Sequence, residues 1–364
     1  MNWLTSQFEL ARAGAAANLK PMEGLRGFAV FLVFLVHYVS LSSPWIAPLS
    51  ETAHIATALH AIGNVGVDLF FVLSGYLIYG TLLARRQRFL PYIRRRLQRI
   101  YPTFTVVLMM YLLLSWAVPS ESKLPKDPLM AMRHIAENFL LLTGFTQRDA
   151  IITVSWSLSY EMFYYLAIPL LIVAFRLRER SVRWRVLFFT VVLALSTVYC
   201  IAFSGPLRLV MFIAGIYLHE SLDRLPAPVS LIGMVALLFA LGAPLLPQIA
   251  LLRTGVLFFG FFLLCLSCFA GPGGRLARAF SVTPLRWLGN MSYSYYLIHG
   301  LALKGAFSAL AILMPPAPIG SLFFWAWLAP MFVLTLIPGA ALFLLIERPC
   351  SLTRQVPALT ARAF

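Results

Sequence analysis

The chain has 364 residues, 60% of them hydrophobic and only 12% charged, with a mean hydropathy of +0.84, which excludes a soluble globular domain. The formal net charge of +16 does not point to a nucleic-acid partner, because the basic residues are spread through short connections instead of forming one patch. Apolar runs of about twenty residues recur between those connections, which is the pattern of spanning helices and not the shorter alternation of an outer-membrane barrel.

Residues 1–20 lack the basic start, apolar middle and small-residue cleavage site of a secretory signal. Leu4, Phe8, Ala11 and Ala15 share one helical face, so an interfacial helix is expected there, a frayed tail being the alternative. Lys20 and Arg26 precede the first apolar run and place its start in the cytoplasm. That run, EGLRGFAVFLVFLVHY at 23–38, carries Arg26 at its edge and His37 inside it. Their separation is about three helical turns, so the two side chains leave nearly the same face roughly 16 Å apart along the axis. An ionisable group inside an apolar span is costly; His37 is either functional or satisfied by a neighbouring helix, and the functional reading is favoured.

Residues 42–65 contain no Lys or Arg and read as an external connection, with His54 and His60 as ordinary loop residues whose spacing suits no metal motif. The second span, GVDLFFVLSGYLIYGTLL, carries Asp68 at its outer end, a carboxylate that needs a partner, and Ser74 and Gly75, which suit close helix packing. The loop after it holds Arg85, Arg86, Arg88, Arg94, Arg95, Arg96 and Arg99. On a helix Arg95 and Arg99 stand one turn apart, able to grip phosphates of lipid headgroups or of a phosphorylated soluble substrate. A third span at 100–118 leads to an external loop, 119–155, whose charges nearly cancel and whose amphipathic piece HIAENFLLLTGF is expected to dip into the interface. The fourth span, SWSLSYEMFYYLAIPLLIV, sets Glu161 among aromatics, where it must be paired or partly protonated.

The arginines between 176 and 185 place the next connection inside. Further spans are expected at 186–203, 207–222, 228–243 and 250–270, then an inner loop with Arg275, Arg278 and Arg286, a ninth span opening at LGNMSYSYYLIHG and a tenth at 323–346 ending in Glu347-Arg348-Pro349. The expected fold is therefore all-α: a single polytopic domain, 1–364, of about ten transmembrane helices around a central cavity, both termini cytoplasmic, with most of the 29 Lys and Arg on the inner side. Cys265 and Cys268 suit apolar packing better than metal or redox chemistry. No Walker loop, dinucleotide fingerprint, GxSxG or HExxH is present, and no internal repeat is detected.

Six stretches, GLRGFAVFLVFLVH, GVDLFFVLSGYLI, RRRLQRIYP, SWSLSYEMFYYL, LGNMSYSYYLIH and the closing IERP, together resemble the acyltransferase 3 family of integral membrane O-acyltransferases, in order and from residue 23 to 349. The resemblance implies that Arg26 and His37 are the essential pair, with His37 at the reaction centre. It implies that Arg95 and Arg99 contact an acyl-CoA donor at the cytoplasmic face, and that Glu161 is the acidic residue of the fourth-span motif, where Tyr160 departs from the usual pattern. Asp68, Ser74, Tyr76, Tyr293, His299 and Glu347 lie in the matching stretches as supporting candidates. Some relatives carry an external hydrolase-like domain; none is expected in this sequence.

The chemistry fits the residues independently. Acyl transfer from a thioester to a hydroxyl needs a base, an oxyanion stabiliser and a site for an anionic carrier; His37 suits the first and the arginine cluster the last. The expected activity moves an acyl group, acetyl being the commonest in the family, from acyl-CoA to a glycan or lipid-linked sugar at the outer face of a bacterial-type inner membrane. His37 is expected to act as general base, acylation of His37 itself being the alternative. Acyl-CoA serves as co-substrate, with no bound cofactor or metal; membrane lipids are the other partner, and the oligomeric state is open. The rival function is a proton-coupled transporter or flippase for an anionic or sugar substrate, in which the same ionisable residues would move protons or hold the cargo.

Overall fold

The computed structural model describes residues 3–10, 20–146, 148–247, 249–318 and 320–352, and among these every regular element is helical. In chain order the α-helices are α1 (Trp3–Phe8), α2 (Lys20–Ser42), α3 (Glu51–Gly63), α4 (Val65–Ala84), α5 (Phe89–Ala117), α6 (Pro128–Phe139), α7 (Trp156–Ala174), α8 (Val182–Ala202), α9 (Met211–Ser221), α10 (Ser230–Gly242), α11 (Ala250–Ala270), α12 (Arg275–Ala279), α13 (Thr283–Asn290), α14 (Ser292–Leu313) and α15 (Ser321–Leu342). A π-helical stretch, Phe343–Leu352, continues α15.

Eight segments among the described residues are long and apolar enough to cross a bilayer: Lys20–Trp45, Glu51–Ala84, Phe89–Ala117, Trp156–Ala174, Val182–Ala202, Ala250–Ala270, Ser292–Leu313 and Ser321–Leu352. The sixth and seventh expected spans are the shorter helices α9 and α10. The 11 residues of α9 extend about 17 Å, well under the roughly 30 Å hydrocarbon thickness. The outward residues of α8, Leu187, Val191, Leu195 and Val198, are apolar and exposed at helical spacing, as lipid-facing residues should be. The interfacial helix expected over Leu4–Ala15 is seen only as α1; Ala11 and Ala15 lie outside the described residues.

Two expected loops are helical instead. The 42–65 connection contains α3, started by Ser50, whose hydroxyl accepts the Ala53 amide at 3.1 Å. Of the arginine-rich stretch, Arg85, Arg86 and Arg88 lie in the connection as expected, but Arg94, Arg95, Arg96 and Arg99 lie in the beginning of α5, which runs for 29 residues through Pro102 into the apolar span.

The chain divides into two compact units, one of Met1–Arg86, Ile168–Ser292 and Leu303–Val333, the other of Gln87–Ala167, Tyr293–Ala302 and Leu334–Phe364. In the first, α2 packs on α3, α4 and α13, and α4 on α9. These contacts are close because glycines face backbone: a Cβ on Gly24 would overlap the Phe280 carbonyl, one on Gly75 the Phe212 carbonyl, and one on Gly215 the Val72 carbonyl. The expected packing role of Gly75 is thus met by α9. The C-terminal half of α2 is held by rings, with Phe31 and Phe34 against Phe332 and Tyr38 against Phe307 and Phe324.

In the second unit, α5 packs against the π-helical stretch. The 119–155 segment holds α6, whose first turn is capped by Asp127 accepting the Met130 amide at 2.8 Å. The helix stops at Phe139, halfway through the expected amphipathic piece at 134–145, and Leu141 at φ 55° reverses the chain. The Tyr101 hydroxyl donates to the Phe139 carbonyl at 3.1 Å, more than four turns before α5 ends at Ala117, about 24 Å along its axis. The segment therefore folds back along α5. Buried Asn138 pins its return by accepting the Ile151 amide at 2.8 Å, and Lys123 donates to the Ala150 carbonyl at 3.0 Å and to the Thr153 hydroxyl at 2.8 Å.

Candidate active site

In the first unit, Arg26 and His37 lie on one unbroken helix, α2, as the periodicity requires, and both are half-buried. Arg26 donates through Nε at 3.2 Å and Nη2 at 3.0 Å to the Ser292 hydroxyl. One turn of chain earlier, Glu23 accepts from Arg286 Nε at 2.9 Å, and the same guanidinium reaches Glu9 at 2.5 Å. Asn290 donates to the Phe8 carbonyl at 2.9 Å, and Phe8 stacks on Trp287. The N-terminal end of α2, where Arg26 sits, is thus clamped by α13 and by the segment around Phe8.

Asp68 is fully buried and its expected partner is Arg208, at 3.4 Å, which also donates to the Asn64 carbonyl at 3.2 Å. Ser74 is half-buried on α4. Tyr76 packs against the rings of His219 and Phe269. Close by, the Tyr79 hydroxyl donates to Glu220 at 2.5 Å, and Arg185 grips the same carboxylate with both arms of its fork at 2.7 and 2.8 Å. This buried triad was not foreseen, since Tyr79, Arg185 and Glu220 stand in three different helices and no local spacing links them.

In the second unit, Arg99 pairs with Glu347 at 2.7 Å and lies over the Tyr293 ring at 5.8 Å. The Tyr293 hydroxyl donates to the Ile100 carbonyl at 2.7 Å. Glu347, fully buried, also accepts the Ser294 amide at 3.1 Å and hydroxyl at 2.6 Å. Three candidates, Arg99, Tyr293 and Glu347, are thereby brought together. Arg95 is not among them: it is exposed, donates to Gln87, and lines a shallow open groove of about 370 Å³ with Leu90, Pro91, Arg94 and Gln98.

Glu161 is half-buried and accepts the Tyr165 hydroxyl at 2.5 Å. Arg96, which the sequence reading did not single out, stacks on Tyr165 at 5.0 Å and on Tyr92 at 5.4 Å. The one-turn spacing of Tyr92 and Arg96 was the available signal. His299 is buried, its Nδ1 2.9 Å from the Tyr296 carbonyl and 3.1 Å from that of Tyr295. Among the described residues no three His, Cys, Asp or Glu side chains gather into a metal site.

A helical membrane protein with an arginine and a histidine on one apolar helix and a basic, partly neutralised cluster on another is equipped to hold an anion and move a proton. The acyltransferase domain pattern matches residues 20–344, and the chain belongs to the acyltransferase 3 family. It is a multi-pass membrane protein and an enzyme transferring acyl groups. Acyltransferase MdmB of Streptomyces mycarofaciens is 25% identical over 388 residues, covering 94% of this chain and 95% of that protein. A putative peptidoglycan O-acetyltransferase, YrhL of Bacillus subtilis (strain 168), is 24% identical over 94% of this chain and 56% of its own length. O-acetyltransferase OatA of Staphylococcus aureus is 27% identical over 165 residues, 42% of this chain and 24% of its own. No solved structure matches.

Proposed function

We propose that the protein transfers an acyl group, most simply acetyl, from acyl-CoA on the cytoplasmic side of a bacterial inner membrane to a hydroxyl of a glycan or lipid-linked sugar on the outer side. The observation that carries this reading is the placement of Arg26 and His37 on one face of α2, with Arg26 oriented by Ser292, in a chain of the acyltransferase family. His37 removes the acceptor hydroxyl proton as the oxygen attacks the thioester carbonyl; the carbon–sulfur bond breaks, and the leaving thiolate takes the proton from the imidazolium. Arg26, about three turns away, holds the anionic part of a substrate and orients the approach. Glu161, tied to Tyr165 and near Arg96, acts with the arginine cluster on the donor side. The O-acetyltransferase names of the Bacillus and Staphylococcus relatives support an oxygen acceptor, and the peptidoglycan in the name of the Bacillus one supports a carbohydrate.

In this orientation both termini are cytoplasmic and the basic start of α5 faces the donor. Residues 119–155 begin on the acceptor side.

Reconstitution in liposomes loaded with labelled acetyl-CoA tests the reading. Label appearing on an added glycan acceptor outside is the expected result, and His37→Ala should reduce it below a few per cent of wild type while leaving membrane insertion intact. Movement of unmodified substrate without label transfer would identify a transporter instead.

A further inference from the structure

Arg95 and Arg99 stand one helical turn apart on α5, yet their side chains have different surroundings. Arg95 is exposed in the groove it forms with Leu90, Pro91, Arg94 and Gln98. Two guanidinium groups and an amide beside a small apolar floor suit a phosphate-bearing nucleotide. The Arg99 side chain is only 21% exposed, and its charge faces Glu347, which is fully buried. The other oxygen of Glu347 is taken up by the amide and hydroxyl of Ser294. A phosphate approaching Arg99 would compete with this carboxylate and strip a buried charge of its counter-ion.

We infer that Arg99 is a positioning residue held by Glu347 and does not share the donor-phosphate role that the family resemblance implies for Arg95. This rests on the reading of acyl-CoA as donor. The pair fixes three elements against one another, since Glu347 holds the first turn of α14 through Ser294 while Arg99 lies over Tyr293, whose hydroxyl returns to α5 at Ile100. Glu347 itself projects from a π-helical stretch, the wider helix that recurs at functional sites. Arg99 therefore acts on catalysis through the placement of α14, with no contact to the phosphates.

Acyl-CoA titrations and melting temperatures of the full-length protein in detergent test this with Arg95→Gln, Arg99→Gln, Arg99→Lys, Glu347→Gln and the double variant Arg99→Gln/Glu347→Gln. Arg95→Gln should raise the donor KM about tenfold or more. Arg99→Gln and Glu347→Gln should lower kcat with KM near the wild-type value, and Arg99→Lys should recover part of kcat. Arg99→Gln should melt below wild type, and the double variant should melt above Arg99→Gln, because the carboxylate stranded by the single change is gone. A rise in donor KM for Arg99→Gln matching that of Arg95→Gln would overturn the division of labour. If the wild type does not turn over acyl-CoA, the donor reading fails and the pairing is still read from the melting temperatures, where equal values for Arg99→Gln and the double variant would refute it.

Discussion

The guanidinium of Arg26 donates twice to the hydroxyl of Ser292, a residue 266 positions later in the chain, at 3.2 and 3.0 Å. This bond fixes the arginine near the N-terminal end of the helix that carries His37. Ser292→Ala should remove both contacts to a charged donor, worth about 1.5 kcal/mol in a half-buried setting, and so slow acyl transfer about tenfold with normal abundance in the membrane. Initial rates in membrane vesicles check it, and an unchanged rate would show that Ser292 does not orient Arg26.

Arg286 joins Glu23 and Glu9 in a largely buried cluster. Arg286→Ala should destabilise the protein by about 3 kcal/mol, because it leaves the Glu23 carboxylate buried without its counter-charge. Glu23→Gln in the same background should recover part of the loss. Thermal unfolding in detergent reads both, and equal melting of the single and double variants would argue against the pair.

Gly75 faces the Phe212 carbonyl of α9 with no room for a side chain, whereas Gly255 has open space at its Cβ position. Gly75→Ala should lower stability by about 1–3 kcal/mol, because the obstacle is backbone and gives way only if the helices part. Gly255→Ala should leave stability unchanged or raise it slightly, since alanine favours the helix. The contrast in melting temperature between the two variants is the measurement.

His134, buried on α6 outside the spanning helices, has its pKa held below the usual value of 6.5 by burial and then by the charge of Arg148. The folded segment therefore binds fewer protons than the unfolded one, and its stability rises with pH. The contribution is complete above about pH 6.5 and is lost as the pH falls below it towards the lowered folded value. Limited proteolysis between residues 119 and 155 should accelerate as the pH drops from neutral to about 5.5, and His134→Leu should flatten that dependence. Cleavage independent of pH in the wild type would contradict the assignment.

The sequence by itself determined the helical class and the existence of most spans, because a bilayer demands about twenty apolar residues per crossing and that demand is local. It also determined that Arg26 and His37 share a face, since 3.6 residues per turn is a property of one helix. The same local logic required a partner for Asp68 and marked the small residues around Gly75 as a packing site. It did not show that Arg94 to Arg99 belong to the start of α5, because positive charge reads as a loop when only hydropathy is followed. What only the tertiary structure decided is which residues answer one another: Ser292 for Arg26, Arg208 for Asp68, Arg286 for Glu23, Arg185 and Tyr79 for Glu220, and Glu347 for Arg99. Each pair joins segments far apart in the chain. A buried charge in a span announces that it must be satisfied, but the side chain that satisfies it is chosen by how the helices pack, and no spacing along the chain records that choice.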